Sequence, residues 1–199
     1  MPATEMTADA EIVGLRERHK HSTRRALEDA ALKLFARDGF DATTVEAIAA
    51  SAGVSPRTFF RYFASKDDVL NPEREVRQAS LREQVRALPS GSSDLEVAAA
   101  AFVALCPEFE AERDRMLLRR RAAATSATLR GRVQDVVHTW QRVLLEALAE
   151  RRGVDVHDRS VQVAAATAVA LWQTAIIRWL ADSELDLATE LVACFETGA

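Results

Sequence analysis

The side chains best suited to chemistry in this 199-residue chain lie within one short stretch, residues 55–66. Arg57 and Arg61 are four residues apart, so both lie on one face if the stretch is helical. A guanidinium can donate two parallel hydrogen bonds to guanine O6 and N7 in the major groove of DNA. Nearby hydroxyl, phenol and ammonium groups suit DNA phosphates, contacts that fix register without reading sequence. The predicted DNA-contacting residues are Thr44, Ser55, Pro56, Arg57, Thr58, Phe60, Arg61, Tyr62 and Lys66.

Two short helices joined by a glycine turn must position these side chains. Apolar residues recur at helical spacing from Val45 to Ala52, which gives the first helix one apolar face. Gly53 ends it, because glycine tolerates the left-handed conformation that a helix end needs. Ser55 then caps a second helix, and Pro56 stands at its first position, where no N–H is missed. A helix-turn-helix of this kind places its second helix in the major groove.

The neighbouring residues complete this local prediction. Either Thr43 or Thr44 caps the first short helix, and Ser65 begins a further helix. Phe59 and Phe63 lie one turn apart and are expected to pack inward. The alternative is an amphipathic hairpin in a core, with merely solvated arginines. The agreement of caps, turn, arginine pair and phosphate donors favours DNA binding.

The run from Gly39 to Leu70 resembles the DNA-binding domain of the tetracycline-repressor (TetR) family, and the likeness extends back to about Ser22. It rests on Gly39, Phe40, Thr43, Thr44, Val45, Ile48, Ala49, Ala52, Gly53, Val54, Ser55, Thr58, Phe59, Phe60, Tyr62, Phe63, Ser65, Lys66 and Leu70. The resemblance implies an all-helical, homodimeric transcription regulator, usually a repressor, that a small ligand releases from its operator. Where this chain has Phe60 the family commonly has Tyr, a phosphate contact. Phe60 cannot donate that bond but can press on a thymine methyl group.

Composition favours helices throughout the chain. There are only 7 Gly and 5 Pro, and no segment alternates polar and apolar residues long enough for a convincing strand. We therefore predict an all-α fold with a three-helix DNA-binding domain and a helical bundle for ligand binding and dimerisation. The predicted divisions are a flexible basic N-terminal tail at 1–21, the helix-turn-helix domain at 22–70 and the bundle at 71–199.

The charge distribution agrees with that division. Residues 16–66 hold 10 Lys and Arg against 6 Asp and Glu, although the whole chain has a net charge of −4. A basic N-terminal third on an acidic body suits a protein that presents one end to nucleic acid.

Periodicity and helix-breaking residues predict the element boundaries. The first helix begins near Ser22, and Asn71–Pro72 interrupts the chain as a hinge between the domains. The segment 89–93 is a loop. Asp94 caps the next helix and Pro107 ends it. The other predicted helices span 72–88, 110–121, 128–152, 158–181 and 186–196.

The layout from about Asp94 to Arg152 is also similar to an actinobacterial subgroup of the family, some of whose members respond to acyl-CoA-like ligands. An apolar cavity with a few polar groups would suit a small hydrophobic effector, such as an acyl-CoA or fatty acid. The predicted lining residues are Phe102, Phe109, Met116, Trp140, Leu144, Trp172 and Ile176. The alternative is that they form an ordinary bundle core.

The last two helices are expected to form a homodimer interface. Residues 163–172 are apolar nearly all round, so that helix must be covered on most sides. In the TetR family the last two long helices form a four-helix bundle with their mates. We expect Ala168 and Leu191 within such an isologous interface.

Other functional classes find little support in the sequence. Cys106 and Cys194 are isolated, without metal-ligand spacing, which favours a reduced cytoplasm and no metal or other cofactor. The N-terminus lacks a signal pattern, and no uncharged apolar run reaches the length of a membrane span. No nucleophile–base pairing or phosphate loop suggests an enzyme. The predicted function is a sequence-specific DNA-binding transcriptional regulator; the alternative is a constitutive architectural DNA-binding protein without an effector.

Overall fold

The computed structural model describes residues 3–70, 74–89 and 91–198, and every regular element among them is helical. The all-α prediction is therefore confirmed for this part of the chain. The helices are α1 (Ala3–Asp38), α2 (Val45–Ser51), α3 (Pro56–Tyr62), α4 (Arg74–Ala87), α5 (Asp94–Glu110), α6 (Arg113–Thr125), α7 (Ala127–Arg152), α8 (Arg159–Ala181) and α9 (Leu187–Gly198). A single 3-10 turn, Asp68–Leu70, follows α3. The predicted hinge at Asn71–Pro72 lies outside the described residues.

The helices belong to two compact units. The first unit is Met1–Pro72 together with Leu118–Thr128, and the second unit is Glu73–Leu117 together with Leu129–Ala199. The predicted division placed all of 71–199 in one domain, whereas the segment 118–128 groups with the first unit. Sequence alone gives no sign of this, because α6 runs through that boundary without a helix-breaking residue.

The first unit is built around α1, which packs against α2 and the 3-10 turn. Its predicted apolar stripe is buried and consists of Leu27, Ala30, Ala31, Leu34 and Phe35. The predicted helix start near Ser22 is wrong, because α1 begins at Ala3. The intervening residues include the good helix formers Ala, Glu, Met and Arg and contain no proline after Pro2, so nothing in them ends a helix.

The helix predicted to begin at Ser65 is instead the single 3-10 turn. Asp68 Oδ2 accepts hydrogen bonds from the backbone N–H groups of Ala64 at 2.9 Å and Ser65 at 3.1 Å. The carboxylate therefore holds the residues before the turn, while the fully buried Val69 anchors the turn itself. The sequence prediction gave the capping role to Ser65, although Asp is an equally good acceptor for backbone N–H groups.

In the second unit, α5 begins with a capping box. Ser93 Oγ accepts from the Glu96 N–H at 3.3 Å, and Glu96 Oε2 accepts from the Ser93 N–H at 2.7 Å. The backbone hydrogen bond from Ser93 lowers the pKa of Glu96. The cap is therefore Ser93, and the prediction of Asp94 is wrong.

The prediction that Pro107 ends α5 is also wrong, since the helix continues to Glu110. A proline inside a helix costs about 3 kcal/mol, because it lacks an N–H and its ring crowds the preceding turn. Phe102 and Phe109, on either side of it, are only 0% and 7% exposed. Burying a side chain of this size contributes about 1.5–3 kcal/mol, so two such rings offset the cost. The following helix, α6, accordingly begins at Arg113 instead of residue 110.

The last three helices, α7 to α9, begin and end within about two residues of their predicted bounds. In this unit α5 packs against α4, α8 and α9, and α8 packs against α9. α8 alone among the described helices is long and apolar enough to cross a membrane by length and composition, and 39% of its most apolar window is buried. Its buried side includes Ala168, Trp172 and Trp179, so α8 is a core helix of this unit with a second side left open.

Candidate nucleic-acid interface and ligand-binding core

A serine cap and a buried aromatic ring hold α3 in place. Ser55 is in extended conformation (φ −81°, ψ 156°), and its Oγ accepts from the Thr58 N–H at 3.2 Å. Pro56 occupies the first turn, as predicted. Phe59 is fully buried, with its ring centroid 5.4 Å from that of Phe63, which is also buried. The predicted inward packing of both phenylalanines is confirmed, and it leaves the opposite side of α3 to solvent.

Arg57, Phe60 and Arg61 are exposed along that opposite side, which we call the α3 face. Arg61 Nη2 donates to Tyr62 Oη at 3.3 Å, and the guanidinium carbon lies 5.0 Å from the Tyr62 ring centroid. This contact restricts the guanidinium before any ligand arrives, which reduces the side-chain entropy lost on binding. Phe60 is 56% exposed, although Phe is usually buried.

The turn between α2 and α3 follows from a single glycine. Gly53 has φ +69°, a left-handed conformation that side chains with a Cβ rarely adopt. The N–H of Val54 donates to the Ala49 carbonyl at 2.9 Å, and the N–H of Gly53 donates to the Ala50 carbonyl at 3.1 Å. These bonds satisfy carbonyl groups at the end of α2 and fix the direction in which α3 leaves it.

The choice between Thr43 and Thr44 as the cap of α2 is settled by their hydrogen bonds. Thr44 Oγ1 accepts from the Ala47 N–H at 3.1 Å, whereas Thr43 Oγ1 donates to the Gly39 carbonyl at 2.8 Å. Thr44 is therefore the cap. Its hydroxyl proton is still available to donate to another acceptor, such as a phosphate oxygen.

Lys66 has an internal role that the sequence prediction missed. Its Nζ donates to the carbonyl oxygens of Phe40 at 2.8 Å and Thr43 at 3.0 Å, and lies 3.4 Å from that of Asp41. An ammonium group has three protons, so these contacts can use all of its donors. Lys66 therefore ties the end of the helix-turn-helix to the loop between α1 and α2.

The second unit brings together four of the seven predicted ligand residues, in what we call the aromatic cluster. The Phe102 and Trp172 rings stack with centroids 4.9 Å apart and 8° between their planes. Phe109 meets Trp172 edge-on at 5.0 Å, and Trp140 lies 6.3 Å and 6.2 Å from Phe102 and Phe109. Offset-stacked and edge-to-face pairs are favourable ring geometries.

The other three predicted ligand residues differ in burial. Leu144 is fully buried in the core of the unit. Met116 and Ile176 are partly buried and pack against that core. Met116 and Ile176 therefore keep part of their apolar surface accessible at the edge of the core.

A buried ion pair lies against the aromatic cluster. Arg77 Nη2 is 2.8 Å from Glu112 Oε2, and the two side chains are only 6% and 8% exposed. The Arg77 guanidinium carbon is 4.9 Å from the centroid of the Phe109 ring, within the range of a cation–π contact. Sequence reasoning did not identify either residue, because Arg77 on α4 and Glu112 in the turn between α5 and α6 pair only through the tertiary fold.

The cysteines are poorly suited to catalysis. Burial is the main cause that raises the pKa of Cys106 to about 12, and it also raises the pKa of Cys194. The thiolate is the nucleophilic form, so both thiols are unreactive near neutral pH. Within the described residues no group of three or more His, Cys, Asp or Glu side chains could hold a metal ion.

Comparison with known proteins finds two family models that match this chain. Residues 27–71 match the model for bacterial regulatory proteins of the tetR family, and residues 93–197 match the model for the MftR C-terminal domain. The chain is 28% identical over 179 residues to the transcriptional regulator MftR of Mycobacterium tuberculosis, covering 90% of each chain. It is 41% identical over 105 residues to the HTH-type transcriptional regulator TcmR of Streptomyces glaucescens, covering 52% of this chain and 45% of TcmR.

A solved structure agrees with these matches. The structure of FadR from Thermus thermophilus, a TetR family transcriptional repressor in complex with lauroyl-CoA, superposes with a TM-score of 0.55. The two are 29% identical, and the likeness covers 88% of this chain and 92% of that one. The helix-turn-helix with its exposed α3 face matches the first model, and the second model spans more than half of the chain. The chain therefore belongs to the TetR family of bacterial transcriptional regulators.

Proposed function

We propose that this protein is a cytoplasmic, homodimeric repressor that a small hydrophobic ligand releases from a double-stranded DNA operator. The observation that carries the proposal is the α3 face, on which Arg57 and Arg61 stand exposed one turn apart on a capped helix. A dimer presents two such helices to successive major grooves. A ligand that binds the DNA-incompetent state more tightly shifts the protein away from its operator.

The roles of the side chains in DNA binding follow from their exposure and their partners. Arg57 and Arg61 read guanine, and Phe60 presses on a thymine methyl group. The hydroxyl and phenol groups of Thr44, Ser55, Thr58 and Tyr62, with the backbone at Pro56, contact phosphates in this proposal and so fix register. Lys66 contributes by holding the α1–α2 loop, since its ammonium is bound to carbonyl oxygens.

The exposed side of α8 and α9 supports the dimer. Val163 and Ile177 on α8 are 59% and 54% exposed, and Val192 on α9 is 44% exposed. Exposed apolar side chains on two adjacent helices mark a protein–protein interface. A second copy of the chain can cover this surface in an isologous arrangement, in which each subunit uses the same surface.

The aromatic cluster supports a hydrophobic effector. Four aromatic side chains, with Met116 and Ile176 partly buried against the same core, offer apolar contacts to an acyl chain or a fused ring system. The relative from Thermus thermophilus binds lauroyl-CoA. Acyl-CoAs and fatty acids are therefore the first compounds to test.

The decisive experiment combines operator selection with ligand titration. Genomic fragments bound by the protein identify the operator, and fluorescence anisotropy then follows its release with acyl-CoAs, fatty acids and aromatic compounds. We expect a palindromic site and release by at least one apolar compound. If no compound changes the affinity for the operator, the protein is a constitutive architectural DNA-binding protein instead.

A further inference from the structure

The buried pair Arg77–Glu112 is costly for a purely structural feature. Removing two charges from water costs several kcal/mol per ion, and well-packed apolar residues often serve stability equally well or better. In some proteins a buried polar or ionic group instead specifies one conformational state. This one joins the first turn of α4 to the corner between α5 and α6, and Arg77 also lies over Phe109 of the aromatic cluster.

Arg77 and Glu112 differ in their contact with the aromatic cluster. Arg77 is the member that lies over an aromatic ring, so an apolar molecule packed on these rings meets a guanidinium. Glu112 has a second cation close by, since Arg115 Nη1 lies 3.8 Å from its other carboxylate oxygen. If a ligand takes Arg77, Glu112 keeps an ionic partner. The exchange therefore leaves Glu112 with a counter-charge. A buried carboxylate without one would be strongly destabilising.

The rings of the aromatic cluster are almost fully buried. Phe109, Trp140 and Trp172 keep 7%, 8% and 5% of their surface accessible, and Phe102 has none. An apolar chain therefore reaches these rings only when neighbouring side chains move, and the three rings with residual exposure are the ones it would touch first.

We infer that Arg77 is the polar anchor of the ligand site and binds the oxyanion at the end of an apolar effector, which displaces Glu112. This inference rests on the proposed function and specifies the ligand as an apolar body with one terminal carboxylate or phosphate. A guanidinium binds either group through two parallel hydrogen bonds. Because Arg77 lies on α4, exchange of its partner also changes what holds the first turn of that helix.

The test uses four compounds with the same ten-carbon chain: decanoate, decyl phosphate, decanol and decylamine. Binding to the full-length protein is followed by the fluorescence of its three tryptophans. We expect an anionic compound to bind about tenfold more tightly than decanol, the size of one charge-assisted hydrogen-bonded contact, and decylamine to bind most weakly. Comparison of decanoate with decyl phosphate distinguishes the two oxyanions.

Two variants separate an anchor from a structural pair. Glu112→Gln removes the nearer of the two carboxylates beside Arg77, since Glu108 Oε2 lies 4.0 Å from Arg77 Nε whereas Glu112 Oε2 lies 2.8 Å from Nη2. It should therefore tighten binding of the better anion about tenfold and leave decanol binding unchanged. The double variant Arg77→Met/Glu112→Gln keeps the volume but removes both charges, and it should bind the anion and decanol equally. The matched control is Arg82→Met/Glu146→Gln, which changes a half-exposed ion pair (3.3 Å) of the same unit and should keep the anion preference. Thermal melting checks that each variant is folded.

The inference is overturned if wild-type protein binds the anions no better than decanol, if it binds none of the four compounds, or if the double variant keeps the preference. It is equally overturned if Glu112→Gln does not tighten anion binding. Operator release by lauroyl-CoA is measured alongside. Release without any anion preference would leave the proposed function standing and reject only the role of Arg77, whereas no release by any apolar compound would reject the proposed function itself.

Discussion

The ammonium nitrogen of Lys66 lies 4.4 Å from the centroid of the Phe40 ring, over its face, while donating to the carbonyl of the same residue. The two residues are 26 positions apart in sequence, so the contact ties together the ends of the helix-turn-helix segment. A cation held by carbonyl oxygens and a ring face is a structural element of the first unit.

The first prediction follows from that contact. Lys66→Met keeps the apolar stem but removes the donors, and should lower the free energy of unfolding by about 1–3 kcal/mol because carbonyl oxygens lose their partner. Urea unfolding measures this loss. The salt dependence of operator binding should keep the wild-type slope, whereas loss of a phosphate contact would reduce it by about one. A reduced slope with unchanged stability would show that Lys66 contacts phosphate after all.

Arg57→Ala and Arg61→Ala should each lose about 1–3 kcal/mol of specific binding and relax base preference at one position per half-site. Both side chains are exposed, so stability should change little. Titrations against matched and mismatched sites at several salt concentrations measure the effect. Unchanged affinity in both variants would remove the α3 face from the interface.

Phe60 should recognise thymine through its methyl group. Replacing the contacted thymine with uracil removes only that methyl group and should cost wild-type protein about 0.8 kcal/mol, the value of one buried methyl-sized group. The Phe60→Ala variant should bind thymine and uracil sites equally. Equal binding of both sites by wild-type protein, at every thymine tested, would contradict this contact.

Ile177→Glu should convert dimers into monomers and weaken operator binding strongly, because it places a charge on the open side of α8. Val76→Glu is the matched control: Val76 is 67% exposed on α4 and lies outside the proposed interface. Sedimentation at micromolar concentration distinguishes the two variants. Dissociation by the control alone, or a wild-type monomer, would refute this interface.

Stability should fall at alkaline pH because of Cys106. Its pKa is raised from 9.0 to about 12 by burial, so the native thiol stays protonated where the unfolded thiol ionises. The unfolded state thus binds fewer protons above pH 9, and this contribution to stability is complete below about pH 9 and is lost as pH rises toward 12, at up to about 1.4 kcal/mol per pH unit. Cys106→Ala should flatten that fall relative to wild type in unfolding measured from pH 8 to 11. Parallel curves for the two proteins would contradict it.

Sequence reasoning predicted the structure correctly where residues close together in the chain determine it. The cap at Ser55, the glycine turn at Gly53 and the inward packing of Phe59 depend on residues close together in the chain. Sequence reasoning was incomplete where contacts between residues far apart in the chain determine the structure. Burial on both sides of Pro107 carries a helix through a residue that normally ends one. Contacts across the first unit also hold the Lys66 ammonium on backbone carbonyl oxygens, which its position in the sequence does not reveal.

The same limit applies to the proposed interfaces. Ala168 and Leu191 were expected in the dimer interface because they lie on apolar helices, yet both are fully buried in the core of their own unit. Periodicity shows that a helix has an apolar side but not which neighbour covers it. The aromatic cluster was predicted from residue type, whereas Arg77 and Glu112 required the fold to bring them together.

The discontinuous first unit limits how this protein can be engineered. Ala122 is fully buried and Ser126 is 4% exposed, and Ser126 Oγ donates to Asp41 Oδ2 at 3.4 Å, so the segment 118–128 supplies part of that unit's packing. A truncated fragment ending near residue 72 would expose the apolar surface that this segment covers. A chimaera that transplants the DNA specificity onto another sensor must therefore graft two separate stretches of sequence, and a single fusion joint after the helix-turn-helix would produce an insoluble or unstable hybrid.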